Sequence, residues 1–339
     1  MNSFGRLFRV HIFGESHGEC VGICIDGCPA GLQLGISDFE TDINRRKGGV
    51  KGTTSRTEDD LPLIKTGLFK GKTTGSPITI LFDNSNVRSD TYENQRAVPR
   101  PGHADFVAHQ KFGGYEDYRG SGHFSGRLTV CLVAAGVIAK KILGDVSVKA
   151  DILEIGGERD LDKGLQKALV AKDSIGGIVE CRIQGLPVGL GEPFFDSAES
   201  LLSHAVFAIP AVRGIEFGTG FAAAKLFGSQ HNDALMDNKG KTATNHAGGV
   251  TGGLTNGNDL VFRIAIKPTS STPAEQQSLN WKTNTIENFS VKGRHDLCIA
   301  LRVPVVLEAV AAIVLADQVL IEQRISRVLP PESPERDIQ

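Results

Sequence analysis

The eight residues IDGCPAGL at positions 25–32 recur in altered form as IQGLPVGL at positions 183–190. Each copy joins a β-rich run to a turn of the form x-G-x-P-x-G-L, and a segment with helical spacing follows each turn. A capping box at 37–40 is expected to open the first helix, and residues 196–199 offer the same arrangement for the second. The repeat predicts two related halves packed about a pseudo-twofold axis. The alternative is a shared Gly/Pro turn without wider meaning.

Strands and helices alternate on both sides of this repeat. The pattern predicts strands at 77–82 and 261–266, and long apolar helices at 128–143 and 305–325. No Ser/Pro-rich linker divides the 339 residues. We therefore expect one α/β (α+β) sandwich domain over residues 1–329, followed by a flexible C-terminal tail at 330–339.

Composition excludes several classes of protein. The chain has 40 Gly without a collagen period, and 40% hydrophobic residues make disorder improbable. A net charge of −2 argues against a general nucleic-acid-binding protein. The apolar runs are shorter than the ~18–20 residues that a membrane span needs, and no signal peptide is recognisable. Six Cys without a C-x-x-C pair favour a reducing cytoplasm and no metal site.

Six Gly-rich loops carry the candidate chemistry. Glycine lets backbone N–H groups approach a ligand, arginine binds phosphate or carboxylate in a bidentate manner, and histidine can transfer a proton near neutral pH. The loops therefore predict an enzyme that binds phosphorylated or carboxylated ligands and uses histidine as acid or base. They are GESHG at 14–18, RRKGG at 45–49, RPGHAD at 100–105, YRGSGHFSGR at 118–127, NHAGG at 245–249 and GRHD at 293–296.

In this order, the loops closely resemble those of the chorismate synthase family. The resemblance includes KPTSS at 267–271 and runs from residue 5 to about residue 323. It implies a β-α-β-α sandwich, a homotetramer and a flavoenzyme that converts 5-enolpyruvylshikimate-3-phosphate into chorismate by 1,4-anti elimination of phosphate. It also implies reduced FMN as the cofactor. NADPH enters at most as a source of reducing equivalents, and we expect an external reductant because nothing resembles an added reductase domain.

The resemblance assigns roles to individual residues. His17 is similar to the acid that protonates the departing phosphate, His103 to the residue that protonates reduced flavin near N1, and Asp296 to the aspartate near flavin N5. Ser16 and Ser125 match polar serines around substrate and flavin. The candidate substrate-binding cations are Arg45, Arg46, Lys51, Arg119 and Arg127. The candidate flavin contacts are His123, Phe124, Ser125, Pro210, Ala211, Gly252, Lys267, Pro268, Thr269, Ser270, Ser271 and Arg294.

The chain departs from the family pattern beside the flavin. His123 and Phe124 stand where many members have Arg and Ser, and Leu128 stands where they have Glu. We expect activity to survive with altered flavin contacts, because Phe can pack on a ring and His can meet a phosphate. The acids that balance the cationic site are expected elsewhere, for example at Asp59 and Asp60.

Two other functions stay open from the sequence alone. One is a protein that binds flavin or phosphate without catalysis, although His17, His103 and Asp296 are all retained. The other is a nucleic-acid-binding protein, which the 6% aromatic content and the negative net charge disfavour.

Overall fold

The computed structural model describes residues 2–56, 58–86, 96–291 and 295–324, so the expected tail at 330–339 lies outside the described residues. The strands are β1 (Ser3–Phe4), β2 (Arg9–Gly14), β3 (Cys20–Asp26), β4 (Leu63–Ile64), β5 (Leu68–Phe69), β6 (Lys72–Thr73), β7 (Ile78–Asp83), β8 (Ser147–Ile155), β9 (Gly177–Gln184), β10 (Val212–Phe217), β11 (Val250–Thr251), β12 (Leu254–Thr255), β13 (Leu260–Ile266), β14 (Gln276–Asn280) and β15 (Thr285–Phe289). The helices are α1 (Ser37–Arg46), α2 (Asp105–Phe112), α3 (Thr129–Leu143), α4 (Leu161–Ala171), α5 (Ala198–Val206), α6 (Gly228–His231) and α7 (Val303–Arg324).

Two antiparallel sheets enclose the long helices. The first sheet has the order β1-β2-β3-β7-β4 and the second has the order β10-β13-β9-β8. Helices α1 and α3 pack together on the side of the first sheet, where α3 contacts β3, and α5 and α7 pack together on the side of the second, where α7 contacts β8 and β9. Since α3 also packs on α7, the layers run sheet, helices, helices, sheet. The prediction of one α/β sandwich domain is confirmed.

The two halves repeat one topology. In chain order, the elements β2, β3, α1, β4, β7 and α3 correspond to β8, β9, α5, β10, β13 and α7. The shared strands have the spatial order β2-β3-β7-β4 in one sheet and β8-β9-β13-β10 in the other. Each half also inserts a small hairpin, β5–β6 or β11–β12, at the corresponding point of the chain. This topology agrees with the two related halves predicted from the repeated turn.

A buried threonine closes the repeated turn in both halves. The Thr73 hydroxyl donates to the Pro29 carbonyl at 2.6 Å and accepts a hydrogen bond from the Leu32 N–H at 2.9 Å. Thr255 makes the same two bonds, with the same lengths, to the matching groups of the 183–190 turn. The sequence showed the turns but not these hydroxyls, because 41 and 65 residues separate the two threonines from the amides they bind.

The two predicted capping boxes are wrong. Helix α1 begins at Ser37 without a side-chain cap, and the Asp38 carboxylate instead accepts a hydrogen bond from the Gly35 N–H at 2.8 Å. Helix α5 is capped by Ser197, one residue later than predicted. Several side-chain oxygens lie within one turn of each start, so composition alone does not decide which of them is the cap.

The two halves approach each other closely where α3 packs on α7. A Cβ atom built on Gly136 of α3 would lie 2.3 Å from the Ala309 Cβ of α7. Next to this crossing, the buried Glu308 carboxylate accepts hydrogen bonds from Arg45 at 2.7 Å and from Lys140 at 2.9 Å. The crossing therefore combines a steric constraint with a part-buried ionic cluster that joins α1, α3 and α7.

Helix α7 also holds the start of the chain. The Asp317 carboxylate accepts hydrogen bonds from the backbone N–H groups of Arg6, Leu7 and Phe8 at 2.9, 2.7 and 2.8 Å.

Within the described ranges, one helical stretch, Ile299–Glu322, is long and apolar enough to cross a membrane. Because 78% of this apolar stretch is buried inside the protein, we interpret it as the central core helix.

The threonine bonds give a direct test of the repeated turn. We expect Thr73→Val and Thr255→Val each to lower the free energy of unfolding by ~1–3 kcal/mol, since each removes two hydrogen bonds of ~0.5–1.5 kcal/mol that close the turn. Urea unfolding at fixed protein concentration measures the change. Thr41→Val, on the exposed face of α1, is the matched control. Equal midpoints for all three variants would contradict the role of the two hydroxyls.

Candidate active site

A cavity of about 470 Å³ lies where the Gly-rich loops converge. All of the predicted loops except 245–249 contribute to its wall. The segments that precede α3 and α7 also line it, so both long helices begin at the cavity and direct the positive ends of their dipoles towards it. The predicted site residues found in the lining are His17, Arg46, His103, Phe124, Ser125, Arg127, Pro210, Ala211, Lys267, Pro268, Thr269, Ser270, Ser271 and Asp296.

Two predicted substrate-binding arginines are bound elsewhere. Arg45 donates to the buried Glu308 carboxylate through both terminal nitrogens at 2.7 Å, so its guanidinium joins helices rather than lining the cavity. The half-exposed Arg119 is paired with Asp117 at 2.8 Å. Each arginine is thus occupied by a carboxylate outside the cavity lining.

The other predicted residues outside the lining lie behind it or on the surface. Ser16 is fully buried, and its hydroxyl accepts a hydrogen bond from Arg56 at 3.2 Å. His123 uses Nδ1 to bond the carbonyl oxygen of Gly14 at 2.8 Å. Lys51 and Gly252 are exposed. Arg294 is outside the described residues.

Two buried arginines and one aspartate form a cationic cluster in the cavity wall. Asp60 accepts hydrogen bonds from Arg46 at 2.6 Å and from Arg127, and all three side chains are at least 96% buried. Burial lowers the pKa of Arg46 to about 10, which still leaves it protonated at neutral pH. Burial by itself raises the pKa of Asp60, but the charges of the two arginines hold it below its usual value. The cluster therefore carries one net positive charge.

The expectation that Asp60 lies away from the site is wrong. Its backbone has a φ of 52°, in the left-handed region that aspartate tolerates better than most residues. Asp59 is exposed while Asp60 is buried between the arginines. The two acids are adjacent in sequence, so composition could not separate their roles.

His17 lines the same cavity as this cluster and is tightly packed. A Cβ atom on Gly120, where φ is 56°, would lie 2.3 Å from the His17 ring, so the ring packs directly on the glycine backbone. Burial, together with the charges of Arg56 and Arg119, lowers the pKa of His17. In the ligand-free protein, His17 is therefore neutral at neutral pH.

Arg56 and Glu58 form a second ion pair on the same wall. Arg56 donates to Glu58 through Nε at 3.0 Å and Nη2 at 2.7 Å, and the Ser85 hydroxyl donates to the other carboxylate oxygen at 2.9 Å. Although burial raises the pKa of Glu58, these hydrogen bonds hold it below its ordinary value. The pair fixes a guanidinium against Ser16 and near His17. Neither Arg56 nor Glu58 was among the site residues predicted from the sequence.

Asp296 is held by two groups that no sequence motif contains. The Thr54 N–H donates to its Oδ1 at 2.9 Å, and Arg302 Nη1 lies 3.1 Å from its Oδ2. Arg302 also donates through Nε to the carbonyl of Arg46 at 2.9 Å. Arg302 precedes α7 and lies outside the Gly-rich loops, so no sequence motif marked it, although both of its partners lie in predicted loops.

His103 belongs to a third network. Its Nδ1 lies 2.7 Å from Asp105 Oδ1, and Arg100 donates to the same carboxylate through Nε and Nη2 at 2.8 and 2.7 Å. Burial raises the pKa of Asp105, but the hydrogen bonds from Arg100 and His103 hold it well below its usual range. Asp105 is therefore a carboxylate at all ordinary pH values.

The remaining wall is suited to a flat ligand with an anionic end. Phe124, which is 42% exposed, lines the cavity with Pro210, Ala211 and Pro268. Lys267 donates to the Gly102 carbonyl at 2.8 Å and to Ser270 at 2.7 Å. Burial, together with the charge of Arg213, lowers the pKa of Lys267.

In the part of the chain that the structure describes, no group of three or more His, Cys, Asp or Glu could hold a metal ion.

The Asp60 cluster predicts a pH-dependent contribution to stability. We expect Asp60→Asn to lower the free energy of unfolding at about pH 7 by ~3–5 kcal/mol, because two buried guanidiniums lose their shared counter-ion. Since the folded-state pKa of Asp60 is depressed, its contribution is complete above the unfolded value of ~3.9 and is lost as the pH falls through the folded value. Urea unfolding at about pH 7 and about pH 3 should therefore show a smaller difference from the unsubstituted protein at the lower pH.

The neighbouring exposed carboxylate supplies the control for this experiment. Asp59→Asn removes the same charge from the same segment and should leave the unfolding midpoint nearly unchanged. A loss for Asp60→Asn that is no larger than for Asp59→Asn would contradict the proposed cluster energetics.

Known proteins share both the sequence and the fold. The profile of the chorismate synthase family matches residues 8–320. A chorismate synthase of Chitinophaga pinensis is 69% identical over 329 residues, which cover 97% of this chain and 99% of that protein. A chorismate synthase of Korarchaeum cryptofilum is 41% identical over 353 aligned positions, covering 95% and 98% of the two chains.

A solved structure supports the architecture. A crystal structure of a chorismate synthase superposes with a TM-score of 0.72 over 94% of this chain and 93% of its own chain, at 24% identity, a likeness that shows the fold alone. With the family profile spanning almost all described residues and curated relatives aligned along their full length, the chain belongs to the chorismate synthase family.

Proposed function

We propose that this protein is a chorismate synthase, a carbon–oxygen lyase that eliminates phosphate from 5-enolpyruvylshikimate-3-phosphate to give chorismate in the shikimate pathway. The observation that carries the proposal is the convergence of His17, Arg46 and Arg127 on one cavity. Phosphate leaves readily only when its developing charge is met by cations and a proton, and this wall supplies both. The product is a precursor of aromatic compounds.

The substrate is a polyanion, and the cavity is matched to it by charge. Arg46 and Arg127 share Asp60, so the cluster retains one positive charge for a ligand, and Lys47 and Lys267 add two further cations to the wall. Carboxylate partners also hold the guanidiniums in fixed orientations, so little conformational entropy is lost on binding. We assign the substrate phosphate and carboxylates to the Arg46–Arg127 side of the cavity.

The residues present fit reduced FMN as the cofactor. An apolar surface of Phe124, Pro210, Ala211 and Pro268 suits a flat ring, and Lys267 with its neighbouring serines suits a phosphate. When bound, reduced FMN supplies transient electron donation to the substrate without net oxidation. NADPH has no assigned role beyond that of a reductant source, and an external reductant is the simpler arrangement.

His17 is the proposed proton donor to the departing phosphate. The ligand-free ring is neutral at neutral pH because burial and nearby arginines disfavour its charged form. A phosphate dianion beside the ring favours the charged form, so substrate binding brings a proton to His17. As the C–O bond breaks, that proton passes to the leaving phosphate.

Asp296 and His103 are the proposed groups for the proton transfers that do not involve the departing phosphate. The Asp296 carboxylate, oriented by Thr54 and Arg302, is positioned to assist removal of the substrate's C6 proton beside the cofactor. His103 holds or accepts a proton at the imidazole nitrogen that is not bonded to Asp105. Ser16 accepts a hydrogen bond from Arg56, and Ser125 accepts one from the Arg127 N–H at 3.3 Å, so we assign both serines a supporting role around the arginines of the site.

Exposed aromatic side chains support the proposed homotetramer. Phe194, Phe195, Phe221 and Phe227 are 88%, 93%, 83% and 77% exposed, and all four lie in the second half of the chain. Exposed apolar side chains mark a protein interface where they form one patch. We propose that subunits associate through the second half of the chain, where the exposed Gly252 also lies.

We also propose that the enzyme works in the reducing cytoplasm, where its six thiols stay free.

The proposed reaction is tested by anaerobic turnover. Purified protein receives 5-enolpyruvylshikimate-3-phosphate and photoreduced FMN, and chorismate and phosphate are measured together. We expect equal amounts of both products and a flavin that is still reduced at the end. Flavin binding without either product would identify a binding protein that lacks the activity.

His17 can be tested in the same assay. We expect His17→Ala to lower kcat by ~10²–10⁴-fold with a smaller change in KM, because the phosphate keeps its cations but loses its proton donor. His11→Ala, at an exposed position on β2, is the control and should turn over normally. Unchanged turnover in the His17 variant would remove this residue from the mechanism.

A further inference from the structure

We propose that Asp105 is a positioning residue that fixes the hydrogen of the neutral His103 imidazole on Nδ1 and leaves Nε2 as a bare acceptor towards the cavity. His103 lines the large cavity, whereas Asp105 lies behind it. The two side chains meet through Nδ1 and Oδ1 at 2.7 Å. A carboxylate behind a histidine that faces a reaction site commonly selects the tautomer of the ring.

The Asp105 carboxylate is itself held rigidly. Arg100 donates to Oδ2 through its backbone N–H at 3.0 Å and through Nε at 2.8 Å, and to Oδ1 through Nη2 at 2.7 Å. The other terminal nitrogen of Arg100 donates to the Ser271 hydroxyl at 2.9 Å. Because Arg100 is anchored on two sides, the carboxylate has one orientation to offer His103.

A competing arrangement must be weighed, since Arg100 Nη2 also lies 3.1 Å from His103 Nδ1. If Arg100 donated there, Nδ1 would carry a lone pair and the hydrogen would move to Nε2. Nη2 has only two hydrogens, however, and two oxygen acceptors lie closer: Asp105 Oδ1 at 2.7 Å and Ser121 Oγ at 2.9 Å.

The closeness of Asp105 decides between the two arrangements. A bare Nδ1 would face the Asp105 oxygen at 2.7 Å, which would set two acceptors against each other without a hydrogen between them. With the hydrogen on Nδ1, the same contact is a charge-assisted hydrogen bond. Protonation at Nε2 then gives an imidazolium that Asp105 stabilises, so His103 can store one proton at the cavity wall.

Solid-state NMR of the ligand-free protein tests the tautomer directly. The nine histidines are isotopically labelled at their ring nitrogens, and the His103 signals are assigned from their loss in His103→Gln. Spectra are recorded at a pH where the His103 ring is neutral by its own titration. We expect a hydrogen-bearing Nδ1 and a bare Nε2. A bare Nδ1 and a hydrogen-bearing Nε2 would overturn the inference and show that Arg100 donates its hydrogen bond to Nδ1.

Substitution of the carboxylate supplies the second arm. In Asp105→Asn, an amide N–H can donate to Nδ1, so we expect the hydrogen to shift to Nε2 or to be shared between both nitrogens. Glu116→Gln is the matched control, because Glu116 lies 3.3 Å from His109 Nδ1 in the same region and has no hydrogen bond to His103. A His103 spectrum that is identical in Asp105→Asn and the unsubstituted protein would also overturn the inference.

The kinetic consequence rests on the proposed function and is measured separately. If His103 transfers a proton during turnover, Asp105→Asn should lower kcat by about 10²–10⁴-fold while KM changes little, because Asp105 does not line the cavity. Glu116→Gln should keep normal kcat. The predicted tautomer with undiminished turnover in Asp105→Asn would contradict the role of His103 in the reaction and leave the tautomer assignment established.

Discussion

The crossing of α3 and α7 at Gly136 and Ala309 constrains the rest of the molecule. A Cβ atom on Gly136 would lie only 2.3 Å from the Ala309 Cβ, so the two helices can pack this closely only because position 136 has no side chain. Both helices begin at the cavity, so the register of this crossing also sets the distance between the two walls that their N-terminal segments supply. A packing contact deep in the core thus fixes the spacing of groups such as Arg127 and Arg302.

Ion pairs in the wall determine the net charge of the cavity and the orientation of its arginines. Asp60, Glu58 and Asp296 each receive a guanidinium, and each pair is tied to a different part of the chain. The acids do not simply cancel the arginines, because they hold them in place while the excess of cations still favours an anionic ligand. An arginine held in advance by a carboxylate loses less freedom when substrate arrives. This explains how a chain with a net charge of −2 can build a site for a polyanion.

Much of the fold could be predicted from local patterns, and much of the site could not. The repeated turn, the strands near 77–82 and 261–266 and the two long helices follow from apolar spacing, and the structure has them within a few residues. Arg45 and Arg46 are adjacent on one helix, where successive side chains point about 100° apart, so one binds Glu308 and the other lines the cavity. Asp60 was expected away from the site, and Arg302 and the two threonines were not predicted at all, because tertiary contacts determine the partners of all four residues.

The bonds between Asp317 and residues 6–8 span almost the full length of the chain. During synthesis, the three backbone N–H groups of the segment that leads into β2 find their acceptor only after more than 300 further residues have been made. A nascent or truncated chain that ends before Asp317 leaves these donors without their partner and lacks part of the central helix. The turn that leads into β2 therefore takes its final form only after α7 has been made and packed.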